Sequence, residues 1–324
     1  MTTATAWAAL KERFDTYSDD LNAYQEPINL YEPVKHIMSI GGKRIRPMLL
    51  LLANEAFNGD TQKALPIAYA FEIFHNFTLV HDDIMDEADL RRGEPTVHNR
   101  FGTNAAILSG DVMVAMSYDF LSNVPSQYLR EALQIFNDTA IGIMEGQQQD
   151  MDMEGTWDST EDDYLDMIKK KTAILLAAAL ETGSLIAGAS EADRKIIYEF
   201  GINAGLAFQI RDDFLDAYGD ARVGKTKGGD ILQDKRTWLM LKALEVSNPE
   251  QEARLHSALE NLEGQEKIDA VMAIFEELNI PDLTQAKMDH FTEKAFKNLD
   301  QLSIPMENTA GLRDMAGYLL GREY

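Results

Sequence analysis

The residues most able to do chemistry form two copies of the pattern Asp-Asp-x-x-Asp, at Asp82–Asp86 and Asp212–Asp216. Residues four apart in a helix lie about 40° apart around its axis, so the first and last aspartates of each copy share one face. Two carboxylates on an apolar helix repel each other unless a cation lies between them. A solvated helix end would explain one pair, but the repetition favours a site for a hard cation. Mg²⁺ is the simplest candidate, and substrate phosphates usually complete its ligand shell, which suggests an enzyme that handles a diphosphate.

Basic residues cluster at two places in the first third of the chain. The segment Gly41–Pro47 joins two glycines to three cations, and Arg91-Arg92 follows the first acidic motif by a few residues. Glycine lets a backbone approach a ligand closely, and arginine offers two parallel donors to a phosphate. Taken alone, the first cluster is at least as consistent with a solvated basic turn as with phosphate binding. The arginine pair is consistent with a surface salt bridge, which stabilises little, or with a Mg²⁺ pair and an arginine pair that hold one diphosphate.

Further candidate phosphate ligands accompany predicted helices. Lys171 and Thr172 stand at the entrance of an apolar helix, and Lys225 and Lys235 follow the second acidic motif. His75 lies two helical turns before the first motif, about 20° from its first aspartate around the helix axis. A histidine on an apolar helix is usually a core residue and such lysines are usually solvated, so only their alignment with the motifs favours binding.

Helix is the dominant secondary structure that the sequence predicts. Ala, Leu, Met, Glu and Lys recur at helical spacing, whereas Val, Ile and Thr never alternate long enough for a sheet. Turn-forming residues mark loops at positions 58–60, 93–95 and 228–230. The predicted helices span Thr3–Leu21, Tyr31–Ser39, Pro47–Phe57, Lys63–Met85, Asn104–Leu121, Gln127–Asp150, Glu161–Ile186, Glu191–Tyr218, Lys235–Glu245, Glu250–Gly264, Glu266–Leu278, Leu283–Leu302 and Thr309–Leu319.

Length and composition favour one large domain. The 324 residues, 45% of them hydrophobic, suffice for a large core, and no Pro-, Gly- or Ser-rich linker divides them, so we expect a single domain over residues 1–324. The net charge of −24 argues against nucleic acid and anionic membrane surfaces as partners. The chain has no cysteine, which fits a reducing compartment, and we expect a cytoplasmic location. We recognise no signal peptide and no apolar run of the roughly 20 residues that span a bilayer.

Two other motif matches are expected to be coincidental. Residues 219–226 fit the nucleotide-binding P-loop pattern, which requires a strand before it and a helix directly after it. A helical segment precedes this match and Gly228-Gly229 breaks a following helix, so we do not expect a nucleotide site. Residues 150–161 nearly fit a calcium loop, but Glu154 stands where Asp or Asn is expected and we recognise no paired second loop.

The motifs follow one another in a specific order along most of the chain. They are Gly41-Gly42-Lys43-x-x-Arg46-Pro47, Asp82-Asp83-x-x-Asp86 with Arg91-Arg92-Gly93, Gly146-Gln147-x-x-Asp150, Lys171-Thr172, Phe208-Gln209-x-x-Asp212-Asp213-x-x-Asp216, and Gly224-Lys225 through Lys235. Each motif is weak alone, but their order and number are highly specific. The chain closely resembles the trans, or head-to-tail, isoprenyl diphosphate synthases. The resemblance implies the all-α isoprenoid synthase type I fold, a single-domain helical bundle around a central cavity, and usually a homodimer.

The resemblance also implies a role for each group of residues. Three Mg²⁺ ions would be bound by Asp82, Asp86 and Asp212, with Asp83 and Asp216 in support. Isopentenyl diphosphate would be held by Lys43, Arg46, His75 and Arg92. The allylic substrate and its diphosphate would be held by Arg91, Lys171, Thr172, Gln209, Lys225 and Lys235. Catalysis would depend on Asp82, Asp86, Arg91, Lys171, Asp212 and Lys225.

The implied reaction is a Mg²⁺-dependent condensation that makes a short-chain all-trans prenyl diphosphate. Metal ions and cations would draw negative charge onto the leaving diphosphate as the allylic C–O bond breaks. The double bond of isopentenyl diphosphate would attack the carbocation in a dry apolar cavity, and proton loss to the departed diphosphate would end the cycle. This chemistry requires no nucleophile from the protein.

Product length is predicted from the residues that precede the first motif. Phe74 and Thr78 lie nearest the helix face of Asp82, and in the family the residue five before the first aspartate, here Phe77, commonly limits the chain. Farnesyl-forming enzymes often have aromatic residues at both positions that Phe77 and Thr78 occupy here, or carry two extra residues in the first motif. The small Thr78 and the absence of an insertion favour geranylgeranyl diphosphate (C20) over farnesyl diphosphate (C15), and C25 stays open.

Two more remote functions are a terpene cyclase and an inactive subunit that partners another synthase. A cyclase would not need Lys43 and Arg46, and its second motif usually follows an Asn/Ser/Glu pattern. An inactive subunit would not need intact aspartates and lysines, so both functions are disfavoured.

Overall fold

The computed structural model describes residues 7–21, 26–154, 156–219 and 228–321, and they form two compact units. Unit 1 comprises the described residues of Met1–Asn137, Ala178–Tyr198 and Leu302–Met315. Unit 2 comprises the described residues of Asp138–Ala177, Glu199–Gln301 and Ala316–Tyr324. Apart from one short hairpin, the regular secondary structure described in both units is helical.

The helices fall close to the predicted positions. They are α1 (Ala8–Leu21), α2 (Ile28–Ser39), α3 (Ile45–Ala56), α4 (Thr61–Met85), α5 (Val97–Phe101), α6 (Thr103–Leu121), α7 (Ser126–Met153), α8 (Glu161–Ile168), α9 (Ile174–Ile186), α10 (Glu191–Tyr218), α11 (Gly229–Leu232), α12 (Trp238–Val246), α13 (Pro249–Asn261), α14 (Gly264–Glu277), α15 (Ile280–Asp300) and α16 (Ala310–Leu320), with a π-helical turn at Lys169–Ala173 and a 3-10 turn at Met306–Thr309. None of the described helices has the length and apolar character needed to cross a membrane.

Helix α4 is buried along most of its length and ends at the first acidic motif. Asp60 caps its N-terminus by accepting a hydrogen bond from the Gln62 N–H at 3.1 Å. Most side chains between positions 64 and 80 are buried, as expected of a helix that is apolar on all sides. Helix α6 packs along it, and a Cβ atom on Gly110 of α6 would collide with the His81 ring. This close packing fixes the helix end from which the acidic motif projects.

A two-stranded hairpin follows α4 and carries the arginine pair. Strand β1 (Leu90–Arg91) pairs antiparallel with β2 (Glu94–Pro95). His36 Nε2 lies 2.8 Å from the Pro95 carbonyl oxygen, and His36 Nδ1 lies 3.1 Å from a guanidinium nitrogen of Arg100. Because arginine only donates, His36 accepts at Nδ1 and donates its Nε2–H to the hairpin. The histidine therefore anchors the hairpin.

The hydrophobic core of unit 2 lies among α10, α12, α13, α14 and α15. Leu255, Val271 and Ile280 are fully buried in it. Two of the surrounding helices begin with capping boxes, Thr160 with Asp163 at α8 and Asn248 with Gln251 at α13. These caps set where each helix begins, and α8 carries residues that line the pocket described below.

The predicted helix at 161–186 is interrupted, and this prediction needs correction. Residues Lys169–Ala173 form a π-helical turn between α8 and α9. Gly146 and Gly205 face this turn: a Cβ on Gly146 would collide with its backbone, and one on Gly205 would lie 2.6 Å from a Cα atom of the turn. Turns of this kind are frequent at functional sites, and this one carries Lys171-Thr172.

Other predicted boundaries also change. Residues 229–232 form the short helix α11 rather than a loop, because Gly228 adopts φ +77° and begins the helix as its N-terminal cap. The helix predicted from Lys235 begins at Trp238, where the Thr237 hydroxyl accepts the Met240 N–H. The loop predicted at 93–95 contains strand β2, and the sequence did not predict α5.

Candidate active site

The first acidic motif places its aspartates in three different environments. Asp82 is half-buried at the end of α4, Asp83 is buried, and Asp86 is exposed one residue past the helix. Arg91 of the hairpin forms a salt bridge with Asp83: its Nε donates to both carboxylate oxygens at 2.8 and 2.9 Å, and its Nη2 lies 2.6 Å from Oδ1. Asp83 therefore positions Arg91, whereas Asp82 and Asp86 are the motif residues turned outward.

A second buried ion pair supports the basic segment before α3. Arg44 Nη1 donates to Glu72 Oε1 at 2.7 Å, and its Nη2 donates to the Met38 carbonyl oxygen at 2.7 Å. Both charged side chains are almost completely buried. Removing one partner of such a pair leaves an unpaired buried charge, which is strongly destabilising. Arg44 therefore fixes the backbone between Lys43, which is exposed, and Arg46.

His75 and Arg46 form a direct contact beneath this segment. An Arg46 guanidinium nitrogen lies 3.0 Å from His75 Nε2, and because arginine only donates, the histidine accepts at Nε2. Burial, followed by the charges of Arg46 and the other nearby arginines, holds the pKa of His75 well below its usual value. Burial also lowers the pKa of Arg46 to about 10, which leaves it charged at neutral pH. His75 can therefore donate to a phosphate only through Nδ1.

Arg92 lies against the glycine pair. Its guanidinium contacts the Gly41 carbonyl oxygen, and a Cβ on Gly42 would lie 3.0 Å from its Cζ. Gly41 has φ +81°, a conformation that favours glycine. The glycines at this position thus make room for an arginine, and unit 1 brings together Arg46, His75 and Arg92 as a basic neighbourhood. The exposed Lys43 directly follows the glycine pair in the sequence.

The second acidic motif lies within α10, and its last aspartate is buried where that of the first motif is exposed. Asp212 is half-buried, whereas Asp213 and Asp216 are buried. Asp216 Oδ2 accepts the Asp230 N–H at 2.9 Å, and the Asp216 carbonyl oxygen accepts the Gly228 N–H at 2.8 Å. Asp216 therefore fixes the start of α11 and the segment leading to Lys235.

A pocket of about 210 Å³ lies within unit 2 beside this motif. Its two lysines each lie near a carboxylate: Lys171 Nζ is 2.6 Å from Asp150 Oδ2, and Lys235 Nζ is 3.8 Å from Asp230 Oδ1. The pocket wall is formed by Asp150, Tyr164, Met167, Ile168, Lys171, Thr172, Gln209, Asp212, Asp213, Asp230, Lys235, Arg236 and Thr237. An acid–base lining of this kind can bind a cation together with an anion.

Aromatic rings extend from the first motif along α4. The Phe77 ring lies 4.8 Å from that of His81 and 5.3 Å from that of Phe74. The Phe74 ring contacts Phe136 edge-on at 5.0 Å. Phe74 and Phe77 are buried, and Thr78 is half-buried with its hydroxyl donating to the His75 carbonyl oxygen. Phe74 and Phe77, two of the three predicted chain-length residues, thus belong to one aromatic row.

Comparison with known proteins identifies the family. The polyprenyl synthetase family profile matches residues 27–278. A short chain isoprenyl diphosphate synthase from Methanothermobacter thermautotrophicus is 39% identical over 302 residues, which are 92% of each chain. A crystal structure of geranylgeranyl pyrophosphate synthase, also 39% identical, matches with a TM-score of 0.94 over 99% of this chain and 100% of that one. The chain belongs to the polyprenyl synthetase family. The predicted family, the all-α fold and the trans-prenyltransferase class are therefore confirmed.

A further relative of this polyprenyl synthetase bears on the metal. The polyprenyl synthase from Caulobacter crescentus CB15, 26% identical with a TM-score of 0.87 over 98% of this chain and 97% of that one, was crystallised with calcium and isoprenyl diphosphate. In the described part of the present chain, no group of three or more acidic or histidine side chains forms a complete metal cage. Mg²⁺ usually takes one or two carboxylates and completes its shell with water and substrate phosphates. The outward-turned Asp82, Asp86 and Asp212 fit that requirement.

Some sequence predictions for this polyprenyl synthetase lie outside the described residues. Lys225, its neighbour Gly224 and residues 220–226 of the P-loop match are among them, as is Gly155 of the calcium-loop match. The described surroundings support neither of these two matches. Helix α10 rather than a strand precedes position 219, and residues 150–153 are still helical.

The sequence predicts no role for three residues that contact or lie beside the candidate site residues. They are Arg44, Asp150, which accepts from Lys171, and Tyr164, whose hydroxyl donates to Asp213. Glu72, a charged residue in an otherwise apolar helix, signals that a buried cation such as Arg44 lies nearby. Nothing in the local sequence around Tyr164 reveals its partner, because the two residues are far apart in the chain.

Proposed function

We propose that the chain is a Mg²⁺-dependent trans-prenyltransferase that condenses isopentenyl diphosphate head to tail with allylic diphosphates. Its main product is geranylgeranyl diphosphate. The observation that carries the proposal is the unit 2 pocket, where Asp212 lies with Lys171 and Lys235 in a member of the polyprenyl synthetase family. Neutral small molecules would not require this combination of carboxylates and lysines.

The allylic diphosphate is bound by the cations that accompany the acidic motifs. Lys171, Lys235, Thr172 and Gln209 line the pocket of unit 2, and Arg91 is held by Asp83 in unit 1. Lys171 and Lys235 already lie near carboxylates, so a bound diphosphate would replace one anionic partner of each lysine with another. Lys225 is assigned to the same diphosphate on the basis of the sequence motif.

Isopentenyl diphosphate is bound by the basic neighbourhood of unit 1 together with Lys43. Lys43, Arg46 and Arg92 supply charge, and His75 supplies its Nδ1–H because Arg46 occupies Nε2. Arginine is suited to this task because its planar fork donates two parallel hydrogen bonds to phosphate oxygens. The low pKa of His75 keeps the imidazole neutral, so it orients the ligand without adding charge.

The carboxylates Asp82, Asp86 and Asp212 are assigned to three Mg²⁺ ions, which would stabilise negative charge on the leaving diphosphate. The chain's own cations, Lys171 and Arg91 among them, stabilise the same charge and hold the diphosphate in place. Phe74 and Phe77 line the path of the growing tail and exclude water from the cationic carbon. The departed diphosphate accepts the proton that ends the cycle.

Incubation with Mg²⁺, isopentenyl diphosphate and each allylic starter in turn tests this function. Product chromatography after removal of the diphosphate should show a C20 alcohol as the main product. A C15 product would identify a farnesyl diphosphate synthase instead. Cyclic hydrocarbons, or no product, would overturn the proposal in favour of a cyclase or an inactive subunit.

Replacing Phe77 by Ala is predicted to lengthen the product by at least one C5 unit. The substitution removes a buried ring from the aromatic row and leaves apolar volume that a longer tail can fill. Conversely, Thr78→Phe adds a ring one residue nearer the metal site and should shorten the product towards C15. The product distribution of each variant, separated by chain length, is the measurement.

Phe14→Ala provides the matched control for this prediction. Phe14 is equally buried but belongs to α1, where it packs against Tyr69. The Phe14→Ala substitution should lower the stability of the protein without changing the length of its product. If Phe77→Ala and Thr78→Phe both gave the wild-type product distribution, the stop would lie elsewhere, for example near positions 112–116 of α6.

We further propose that the enzyme is a cytoplasmic homodimer and that residues 1–324 form a single polyprenyl synthetase domain. Both units carry exposed apolar side chains that a second copy would cover: Ile107 and Leu108 are 42% and 58% exposed, and Ile141 and Met144 are 57% and 52% exposed. Sedimentation equilibrium should give twice the chain mass of 36.4 kDa. A monomer at micromolar concentration would contradict the dimer.

A further inference from the structure

A chain of hydrogen bonds connects three helical elements in the wall of the unit 2 pocket. The Tyr164 hydroxyl of α8 donates to Asp213 Oδ2 of α10 at 2.5 Å. The Gln209 Nε2 donates to Asp213 Oδ1 at 3.0 Å, and the Thr172 hydroxyl of the π-helical turn donates to Gln209 Oε1 at 3.0 Å. All four side chains line the pocket, and Tyr164 and Asp213 are buried.

The directions of these hydrogen bonds depend on Asp213. An ionised carboxylate only accepts, and each oxygen of Asp213 accepts one of these donors, Oδ2 from Tyr164 and Oδ1 from Gln209. Because the Asp213 carboxylate only accepts, the Gln209 amide must present its nitrogen to Asp213. The amide oxygen of Gln209 must then face Thr172, whose hydroxyl hydrogen it accepts.

The carboxylate at this position is buried, so it depends on hydrogen-bond donors. The Tyr164 hydroxyl is the nearer donor, at 2.5 Å, and the Gln209 amide lies at 3.0 Å. Burial raises the pKa of the Tyr164 phenol well above its usual value, so the phenol keeps its proton. Buried polar networks of this kind specify one arrangement only when every member has its partner.

We propose that Tyr164 is a positioning residue for the allylic diphosphate: its hydroxyl fixes Asp213, and through Asp213 and Gln209 it fixes Thr172 beside Lys171. The proposal rests on the assignment of the unit 2 pocket to the allylic substrate. Tyr164 does not act on the substrate directly. Without its hydroxyl, Asp213 loses a donor, Gln209 is free to turn, and Thr172 loses its fixed orientation.

Tyr164→Phe tests the proposal because it removes one oxygen atom and keeps the ring. The KM for the allylic diphosphate should rise about tenfold, the range expected for loss of one hydrogen bond to a charged group, while the KM for isopentenyl diphosphate stays within twofold. A general structural defect would lower kcat through loss of active enzyme and leave both KM values unchanged. Tyr118→Phe is the matched control, since it removes a hydroxyl that donates to Asn137 at 2.6 Å within unit 1, and neither residue lines this pocket. It should leave both KM values unchanged.

A double-mutant cycle tests whether Tyr164 acts through the chain of hydrogen bonds. Tyr164→Phe introduced into a Thr172→Val background should raise the allylic KM by less than twofold further, because the last link is already absent. Should Tyr164→Phe not fold, Asp213→Asn breaks the network at its centre and should give the same selective rise in the allylic KM.

Two results would overturn the positioning role in an active enzyme. One is an unchanged allylic KM in Tyr164→Phe, or in Asp213→Asn where that variant takes its place. The other is a double variant whose allylic KM is raised by the product of the factors found in the two single variants. If the wild-type enzyme itself forms no prenyl product, the proposed function fails, and the parallel wild-type assay separates that outcome from the failure of Tyr164.

Discussion

Asp212→Ala is expected to lower kcat by at least about 10³-fold while leaving the helix content unchanged. Metal-borne stabilisation of charge in the transition state is worth several kcal/mol, and each 1.4 kcal/mol corresponds to about tenfold in rate. Asp212 is the half-buried first aspartate of its motif, whereas each oxygen of its neighbour Asp213 accepts a hydrogen bond. The same loss is expected for Asp82→Ala, because Asp82 has the equivalent position beside the buried Asp83.

Steady-state turnover at saturating substrates and Mg²⁺, together with the circular dichroism spectrum, measures this effect. Asp314→Ala is the control, because Asp314 is an exposed aspartate in the middle of α16 and has no role in the proposed site. It should keep turnover within about twofold, as expected for a surface substitution. Turnover close to that of the wild type in Asp82→Ala or Asp212→Ala would exclude these carboxylates as Mg²⁺ ligands.

Local periodicity explains why the helices and the outward aspartates could be predicted. Helix α10 occupies Glu191–Tyr218, as the sequence predicts, because its apolar residues recur at helical spacing and Glu191 and Asp193 lie in its first turn. In both motifs the middle aspartate lies about 100° away from the first around the helix. This rotation turns it inward, which explains why Asp83 and Asp213 are buried while Asp82 and Asp212 are half-buried.

The partners of the inward residues could not be predicted, because they depend on contacts between distant parts of the sequence. Asp83 of α4 meets Arg91 of the hairpin that follows it, but Asp213 meets Tyr164 from a different helix. Neither pattern alone says whether the buried carboxylate binds a metal ion or a donor. Sequence periodicity also cannot predict the π-helical turn at Lys169–Ala173. The turn arises where helices pack closely rather than from the propensity of its own residues.

Gly146→Ala is expected to disrupt this turn and with it the placement of Lys171. In an ordinary helix interior, replacing Gly by Ala stabilises the helix by about 1 kcal/mol. At position 146 of α7 the added Cβ would collide with the backbone of Lys171 and lie 2.8 Å from Lys170 Cβ. Backbone atoms cannot move aside as a side chain can, and overpacking of this kind typically costs about 1–3 kcal/mol. We therefore expect a lower unfolding midpoint in urea and a rise of at least about tenfold in the KM for the allylic diphosphate.

Gly142→Ala, one helical turn earlier in α7, is the matched control. There the added Cβ would meet only the terminal Cδ1 atom of Ile174, at 2.6 Å, and that side chain can change rotamer. Gly142→Ala should therefore gain most of the helix-propensity stabilisation and keep both KM values. The two variants have the same change in composition and propensity, so the difference between their urea midpoints and their allylic KM values isolates the backbone contact at Lys171. Equal stability and equal kinetics in the two variants would contradict a role for Gly146 in holding the π-helical turn against α7.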